Sequence, residues 1–325
     1  MFAKLSEIKI KFAKTRKNKA PDGMKGIRLL SATNRHVESV GMGNRMSGVL
    51  VESERLAYER DGFTIRRGLF SREEIELLGT TARSDHALDQ AATALDDGEG
   101  NRVRLSLWNH PGEGVYGAFA RCRKLVDSVE QLLGEEVYHY HSKMVLKDAR
   151  TGGAWAWHQD YGYWYQNGLL FPRLCSVMIA VDAATEENGC LRVLKGSHLM
   201  GRVNHVLSGE QAGADRERVA AAERVLETVP CVMEPGDAVF FHCNTLHCSA
   251  ANHSDHPRWA MICCYNAASN NPYKESHHPS YTKLDKVDDA AILETAGREA
   301  GGVEFLDIEG EDASAKSLVD AERET

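Results

Sequence analysis

From Val137 onward the chain changes texture, into short runs of β-branched and aromatic residues separated by Gly, Pro, Asn and Asp. Such runs read as strands. The pattern predicts them near 137–147, 154–158, 174–182, 190–194, 229–234, 238–242, 246–250 and 257–266. Ahead of them the pattern is helical. Residues 53–62 suit a helix leading into a short strand, Phe63-Thr64-Ile65. Ser71-Arg72-Glu73-Glu74 is a capping box, in which the hydroxyl and the carboxylate each satisfy an exposed backbone N–H, and Ile75, Leu77 and Leu78 follow it. Another helix is expected over 116–133, closed by Gly134. Residues 91–101, rich in Asp and Gly, read as a loop, and 210–227, charged and helical in pattern, as an insertion between strands. Helices followed by many short strands predict a mainly β architecture, a sandwich or jelly roll flanked by helices.

Composition narrows the class without reaching a function. Hydrophobic residues make up 42% and charged residues 26% of the chain, which excludes wholesale disorder and fibrous architectures. No apolar run reaches the roughly 20 residues that span a bilayer. Charge is uneven: residues 1–45 hold eleven Lys or Arg against Glu7, Asp22 and Glu38, or +8, and a total of −8 leaves −16 for the rest. We read 1–50 as a flexible basic extension, 51–285 as the folded domain and 286–325 as an acidic tail, part of it helical. A basic arm also fits a mitochondrial presequence or a nucleic-acid or membrane contact. The acidic body argues against nucleic acid, because phosphate binding requires a positive surface. The expected partner is a small molecule, with neither nucleic acid nor membrane; the oligomeric state stays open. Eight cysteines without a C-x-x-C pair or a secretory signal pattern read as free thiols in a reducing compartment, the cytoplasm.

Trp157-His158-Gln159-Asp160 carries the first chemical signal. On a strand, residues i and i+2 project from one face, so His158 and Asp160 can grip one metal ion. Alone the pattern is weak, since a structural His beside a surface Asp produces it often. Pro235-Gly236-Asp237 then opens an apolar strand, and Thr245-Leu246-His247-Cys248-Ser249 supplies a second imidazole. Arg258 follows eleven residues after His247, a spacing that fits an adjacent antiparallel strand. Two imidazoles and one carboxylate leave a face of the metal open, as in non-haem iron(II) oxygenases. Zinc enzymes use the same ligand types, so the triad alone leaves the metal open. His242 competes with His247 as the distal ligand, His198 reads as a loop residue, and His277-His278 as a solvent-facing pair.

Taken together and in order, His158-Gln159-Asp160, Asn188-Gly189-Cys190-Leu191, Lys195-Gly196-Ser197-His198, Pro235-Gly236-Asp237 and the run from His247 through Ser249 to Arg258 resemble the phytanoyl-CoA dioxygenase family, which includes ectoine hydroxylase. The resemblance covers about residues 55–275. It implies a double-stranded β-helix, a cupin-like jelly roll, with Fe(II) at its mouth and 2-oxoglutarate and O2 as co-substrates. The implied reaction hydroxylates an unactivated C–H of a small metabolite or acyl derivative and releases succinate and CO2. By position, His158, Asp160 and His247 match the catalytic iron ligands. Arg258 matches the partner of the distal carboxylate of 2-oxoglutarate, a role suited to a bidentate guanidinium. Ser249 matches a second donor to that carboxylate, and Lys147 and Ser176 further co-substrate contacts.

Related radical halogenases carry a small residue where Asp160 stands, so the carboxylate implies hydroxylation or another oxidation instead of halogenation. His141 and Val145 depart from ectoine hydroxylase, which has Gln and Asn there, and argue against ectoine as the substrate. Tyr161, Tyr163, Trp164 and Tyr165 are candidates for an aromatic wall or a cage for a cation. Arg104, with Arg102 and Trp108, is a candidate contact to a substrate carboxylate. Two other readings compete: a zinc or manganese enzyme of cupin-like fold, and a catalytically silent 2-oxoglutarate-binding protein. The first has no need of a dicarboxylate anchor, and the second would ordinarily have lost a ligand.

Overall fold

The computed structural model describes residues 49–208, 211–297 and 303–306; nearly all of the expected N-terminal extension and much of the tail lie outside them. Helix α1 (Glu52–Asp61) ends at Gly62, whose φ of 83° a residue without Cβ adopts readily, and β1 (Phe63–Arg66) follows. The cap expected at Ser71 opens α2 (Arg72–Ser84): Glu74 N donates to Ser71 Oγ at 3.2 Å, and Ser71 N donates to Glu74 Oε2 at 2.7 Å. After α3 (His86–Gln90), the expected loop is instead the hairpin of β2 (Thr93–Asp96) and β3 (Arg102–Trp108). Only Leu95 of β2 is fully buried, so pairing with β3 rather than intrinsic propensity holds it extended.

The helix expected over 116–133 is broken into α4 (Val115–Arg121) and α5 (Arg123–Leu133), because Cys122 between them is extended, with ψ 144°. Strands β4 (Val137–Lys147) and β5 (Trp155–His158) follow, then a short helix α6 (Asp160–Trp164), β6 (Leu174–Ala180) and β7 (Leu191–Leu194). The insertion is only partly helical: β8 (His205–Ser208) and β9 (Gln211–Ala214) pair as a ribbon before α7 (Arg216–Glu223). Then come β10 (Thr228–Pro230), β11 (Ala238–His242), β12 (His247–Ser249), β13 (Arg258–Ala267) and α8 (Ala291–Glu294). The fold continues past residue 285: Lys286 Nζ pairs with Asp127 at 2.7 Å, and the Phe305 ring meets Trp108 edge-on.

Seven strands form one antiparallel sheet in the order β1-β11-β6-β13-β4-β3-β2, and four form a second in the order β10-β7-β12-β5. The two sheets enclose a jelly-roll core. The central strands β6, β11 and β13 of the large sheet are buried on both faces, which is why they read as nearly continuous apolar runs rather than alternating ones. On β6, Cys175, Val177 and Ile179 pack with Leu78, Phe119 and Val126 of the helices, while Leu174, Met178 and Ala180 pack with Leu191 and Val193 across the sandwich. Each such aliphatic side chain contributes about 1.5–3 kcal/mol on burial. The β4–β13 ladder slips by one residue at Cys264/Tyr265, so the consecutive Tyr140 and His141 both lie on the inter-sheet side. No helix among the described residues is long and apolar enough to cross a membrane.

Two of the sequence motifs are structural. Gly236 adopts φ 94° where a Cβ would meet Phe70 O at 2.5 Å, and Asp237 accepts from Gly68 N and Arg67 Nη1, tying the start of β11 to the end of β1. Ser197 Oγ accepts from Leu246 N at 2.8 Å and so fixes the chain one residue before His247.

Candidate metal and co-substrate site

His158 closes β5 and His247 opens β12, and the two are direct ladder partners with ring centroids 4.0 Å apart. Each ring is oriented by the backbone two residues earlier. His158 Nδ1 donates to Ala156 O at 2.8 Å and His247 Nδ1 to Thr245 O at 2.8 Å, which leaves both Nε2 lone pairs free to bind a cation. Burial, reinforced for His158 by the neighbouring imidazole of His247, holds both rings below the usual histidine range, in the neutral form a metal requires. Asp160 Oδ1 lies 4.0 Å from His158 Nε2 and 3.9 Å from His247 Nε2, while Oδ2 accepts from Ser176 Oγ at 2.6 Å. All three residues are buried, with their ligand atoms within 4.8 Å of one another.

Asp160 reaches this point differently from the strand argument. It is the first residue of α6, so the chain turns between the two ligands rather than extending through them. Gln159 holds that turn. Its Nε2 donates to Gly201 O and Asn244 O, its Oε1 accepts from Val203 N, and its backbone N donates to His205 Nε2. Sequence reasoning passed over Gln159, although its place between two ligands was a signal. His242 points elsewhere, its ring near Tyr58 and His198, and lies outside the cluster of His158, Asp160 and His247.

Beside the triad, Arg258 is 2% exposed and sits directly opposite Lys147 across the β13–β4 ladder. Its Nη2 donates to Gly189 O at 2.6 Å, but its Nε and Nη1 are buried without a partner. The fully buried Lys147 donates to Ala250 O, and its pKa is pushed down to about 6 by burial and by Arg258. The buried guanidinium, with donors to spare, lines the cavity together with Ser249 and fits an anion; Lys147, its ladder partner, is not among the residues that line it. Apart from the triad, Arg258, Ser249 and Lys143, the cavity is lined by apolar side chains, among them Val103, Leu105, Met178, Phe241 and Ile262.

Several candidates are placed elsewhere. Ser176 holds the Asp160 carboxylate rather than lining the cavity. Arg104 is tied to Asp89 and Asp148, and Tyr161 turns its hydroxyl to Leu169 O within the core. Tyr163 and Trp164 line a smaller cavity that also borders Asp160, Lys143, His141, Asn167 and His278. His278 is buried and stacked on His141, against the expectation of a solvent-facing pair; His277 is exposed. Lys143 was missed, although it lies two residues from both His141 and Val145 on one strand face.

A jelly roll whose mouth gathers two imidazoles, one carboxylate and a neighbouring buried guanidinium defines an iron(II)- and 2-oxoglutarate-dependent dioxygenase. Residues 58–260 match the family model of phytanoyl-CoA dioxygenase. Ectoine dioxygenase of Sphingopyxis alaskensis is 30% identical over 229 residues, covering 66% of this chain and 75% of the relative. L-proline trans-4-hydroxylase of Streptomyces griseoviridis is 29% identical over 240 residues, covering 66% and 84%. Crystal structures of EctD from S. alaskensis superpose with TM-scores of 0.62 with bound Fe (25% identity) and 0.64 with 2-oxoglutarate and 5-hydroxyectoine (24% identity). Each covers 76% of this chain and 91% of its own. The chain belongs to the phytanoyl-CoA dioxygenase family, and its cofactors are Fe(II) and 2-oxoglutarate.

Proposed function

We propose that His158, Asp160 and His247 hold the iron and that Arg258, with Ser249 and Lys147, receives the distal carboxylate of 2-oxoglutarate. The enzyme then hydroxylates a C–H of a small metabolite. The observation that carries this reading is the meeting of a neutral His, Asp, His set with a guanidinium whose Nε and Nη1 have no protein partner. When bound, the iron supplies the oxidation, in which one oxygen atom of O2 becomes the substrate hydroxyl and the other enters succinate as 2-oxoglutarate loses CO2. The protein's part is positioning and exclusion. The Ala156 and Thr245 carbonyls fix the imidazole tautomers, Ser176 directs one carboxylate oxygen away from the metal side, and the apolar lining keeps water from the reacting centre.

Location belongs to the same reading. Eight free and buried cysteines suit a reducing compartment, and we assign the enzyme to the cytoplasm. The test is anaerobic addition of Fe(II) and 2-oxoglutarate, which should give a weak visible charge-transfer band that Asp160→Ala abolishes. A protein that gives no band and retains zinc tightly would sink the proposal. Succinate formation dependent on Fe(II) separates an active oxygenase from a silent binder.

A further inference from the structure

We propose that Lys143 binds an anionic group of the substrate, a carboxylate, beside the metal centre. The inference deepens the proposed function and rests on it. Lys143 lies on β4 with Leu107 of β3 and Ile262 of β13 as its ladder neighbours, so its stem is flanked by apolar side chains. It lines the metal cavity with His158, Asp160, His247 and Arg258, and also the smaller cavity with His141, Asn167 and His278. The side chain is half-buried, yet among the described residues no carboxylate lies within 4.0 Å of its ammonium and no hydrogen bond is made by it. Arg104, the arginine that the sequence put forward for this task, is by contrast already paired with two aspartates.

A second observation points to the same place. His141 is 2% exposed, and neither of its ring nitrogens has a hydrogen-bond partner; the buried Asn167, whose amide lies beside the Tyr140 hydroxyl, borders the same cavity. Buried polar atoms are almost always satisfied, so unpartnered ones bordering a cavity mark where a ligand's polar atoms belong. An imidazole N–H, an amide N–H and an ammonium are all donors, and a carboxylate can accept from each. A cationic substrate would meet Lys143 as a like charge, which sets aside the aromatic cage for a cation.

The two basic side chains that line the cavity, Arg258 and Lys143, occupy distinct positions. Arg258 pairs in the ladder with Lys147, four residues further along β4 than Lys143, a backbone separation of about 13 Å at the usual rise of a strand. The first position serves the distal carboxylate of 2-oxoglutarate, and Lys143 remains for the substrate. Cosubstrate and substrate thus enter one apolar cavity as two separate anions, each with its own cation.

The test loads the protein anaerobically with Fe(II) and excess 2-oxoglutarate and follows thermal unfolding with matched probes: L-proline against L-prolinamide, hexanoate against hexanamide, benzoate against benzamide. At least one acid is expected to raise the melting temperature where its amide does not. That shift should vanish in Lys143→Met and persist in Lys143→Arg. Amides that stabilise as well as acids, a shift that survives in Lys143→Met, or a set in which no acid binds would overturn the proposal. The charge-transfer band of the unmodified protein is recorded first. Its absence sinks the iron and 2-oxoglutarate reading, whereas its presence alongside any overturning result sinks the Lys143 subsite alone.

Discussion

Ser176, in the middle of β6 on the large sheet, donates its hydroxyl to Asp160 Oδ2 at 2.6 Å, across the sandwich from the strands that carry the two histidines. The bond is short and charge-assisted, and it leaves Oδ1 as the oxygen nearest both Nε2 atoms. Groups that orient a metal ligand typically contribute about 10–100-fold to metal affinity. Ser176→Ala should therefore weaken Fe(II) binding by about that factor while leaving the KM for 2-oxoglutarate nearly unchanged at saturating iron. A variant whose iron affinity is unaltered but whose 2-oxoglutarate KM rises would return Ser176 to the co-substrate contact that the family resemblance implied.

Gly189 explains why the Asn188-Gly189-Cys190-Leu191 motif carries a glycine. Its φ is 75°, its carbonyl accepts from Arg258, and a Cβ there would meet Ala250 O at 2.2 Å and Lys147 Nζ at 3.1 Å. Gly189→Ala should cost about 1–3 kcal/mol of stability through backbone strain. It should also raise the KM for 2-oxoglutarate, because the guanidinium loses the carbonyl that aims it. Melting temperature and KM measured together check this; an unchanged KM in a destabilised protein would disconnect Gly189 from the co-substrate.

Much of the site could be read from the chain because its residues sit where the backbone is tightly specified. Gly189 and Gly236 occupy positive φ beside close backbone contacts, and Ser197 and Asp237 bond to main-chain donors, so each motif records a local geometry. What escaped is non-local. β2 is extended only because β3 pairs with it, and the break at Cys122 is stitched to Val287, far along the chain. Asp160 looked like a strand residue because H-x-D has a strand's period, whereas the turn comes from Gln159 bonding to Gly201, Val203 and Asn244. His278 reads as polar and exposed until the chain after β13 folds back over His141. The sequence puts forward Arg104 for the cavity and passes over Lys143, because only the neighbours that each meets in the fold decide between them.

Gln159 offers a test of that turn. Gln159→Leu keeps the approximate volume but leaves Gly201 O, Asn244 O and Val203 N without their side-chain partner. At about 1 kcal/mol for each lost bond the variant should be less stable by about 3 kcal/mol. Chemical denaturation reads the change. Because the turn carries Asp160, iron affinity should fall with it; full stability and full iron binding in Gln159→Leu would show that the turn is held by the remaining backbone alone.

If Lys147 takes part in co-substrate binding as proposed, that binding should be sensitive to pH. Its folded pKa of about 6, against an ordinary value of 10.5, means that between those two limits the unfolded chain holds a proton that the folded chain lacks. Stability of the ligand-free protein should accordingly rise with pH through this window, and below about 6 the cost of burying the ammonium is carried in full. A carboxylate arriving at Arg258 and Lys147 reverses the balance, since an adjacent negative charge favours the protonated amine. Binding of 2-oxoglutarate at about pH 8 should then take up close to one proton, and affinity should fall as pH increases above about 6. Isothermal titration in two buffers of different ionisation heat measures the uptake directly. Lys147→Met should abolish it while Arg258 still supports weakened binding. The same uptake in that variant would place the titrating group elsewhere and remove Lys147 from the anion site.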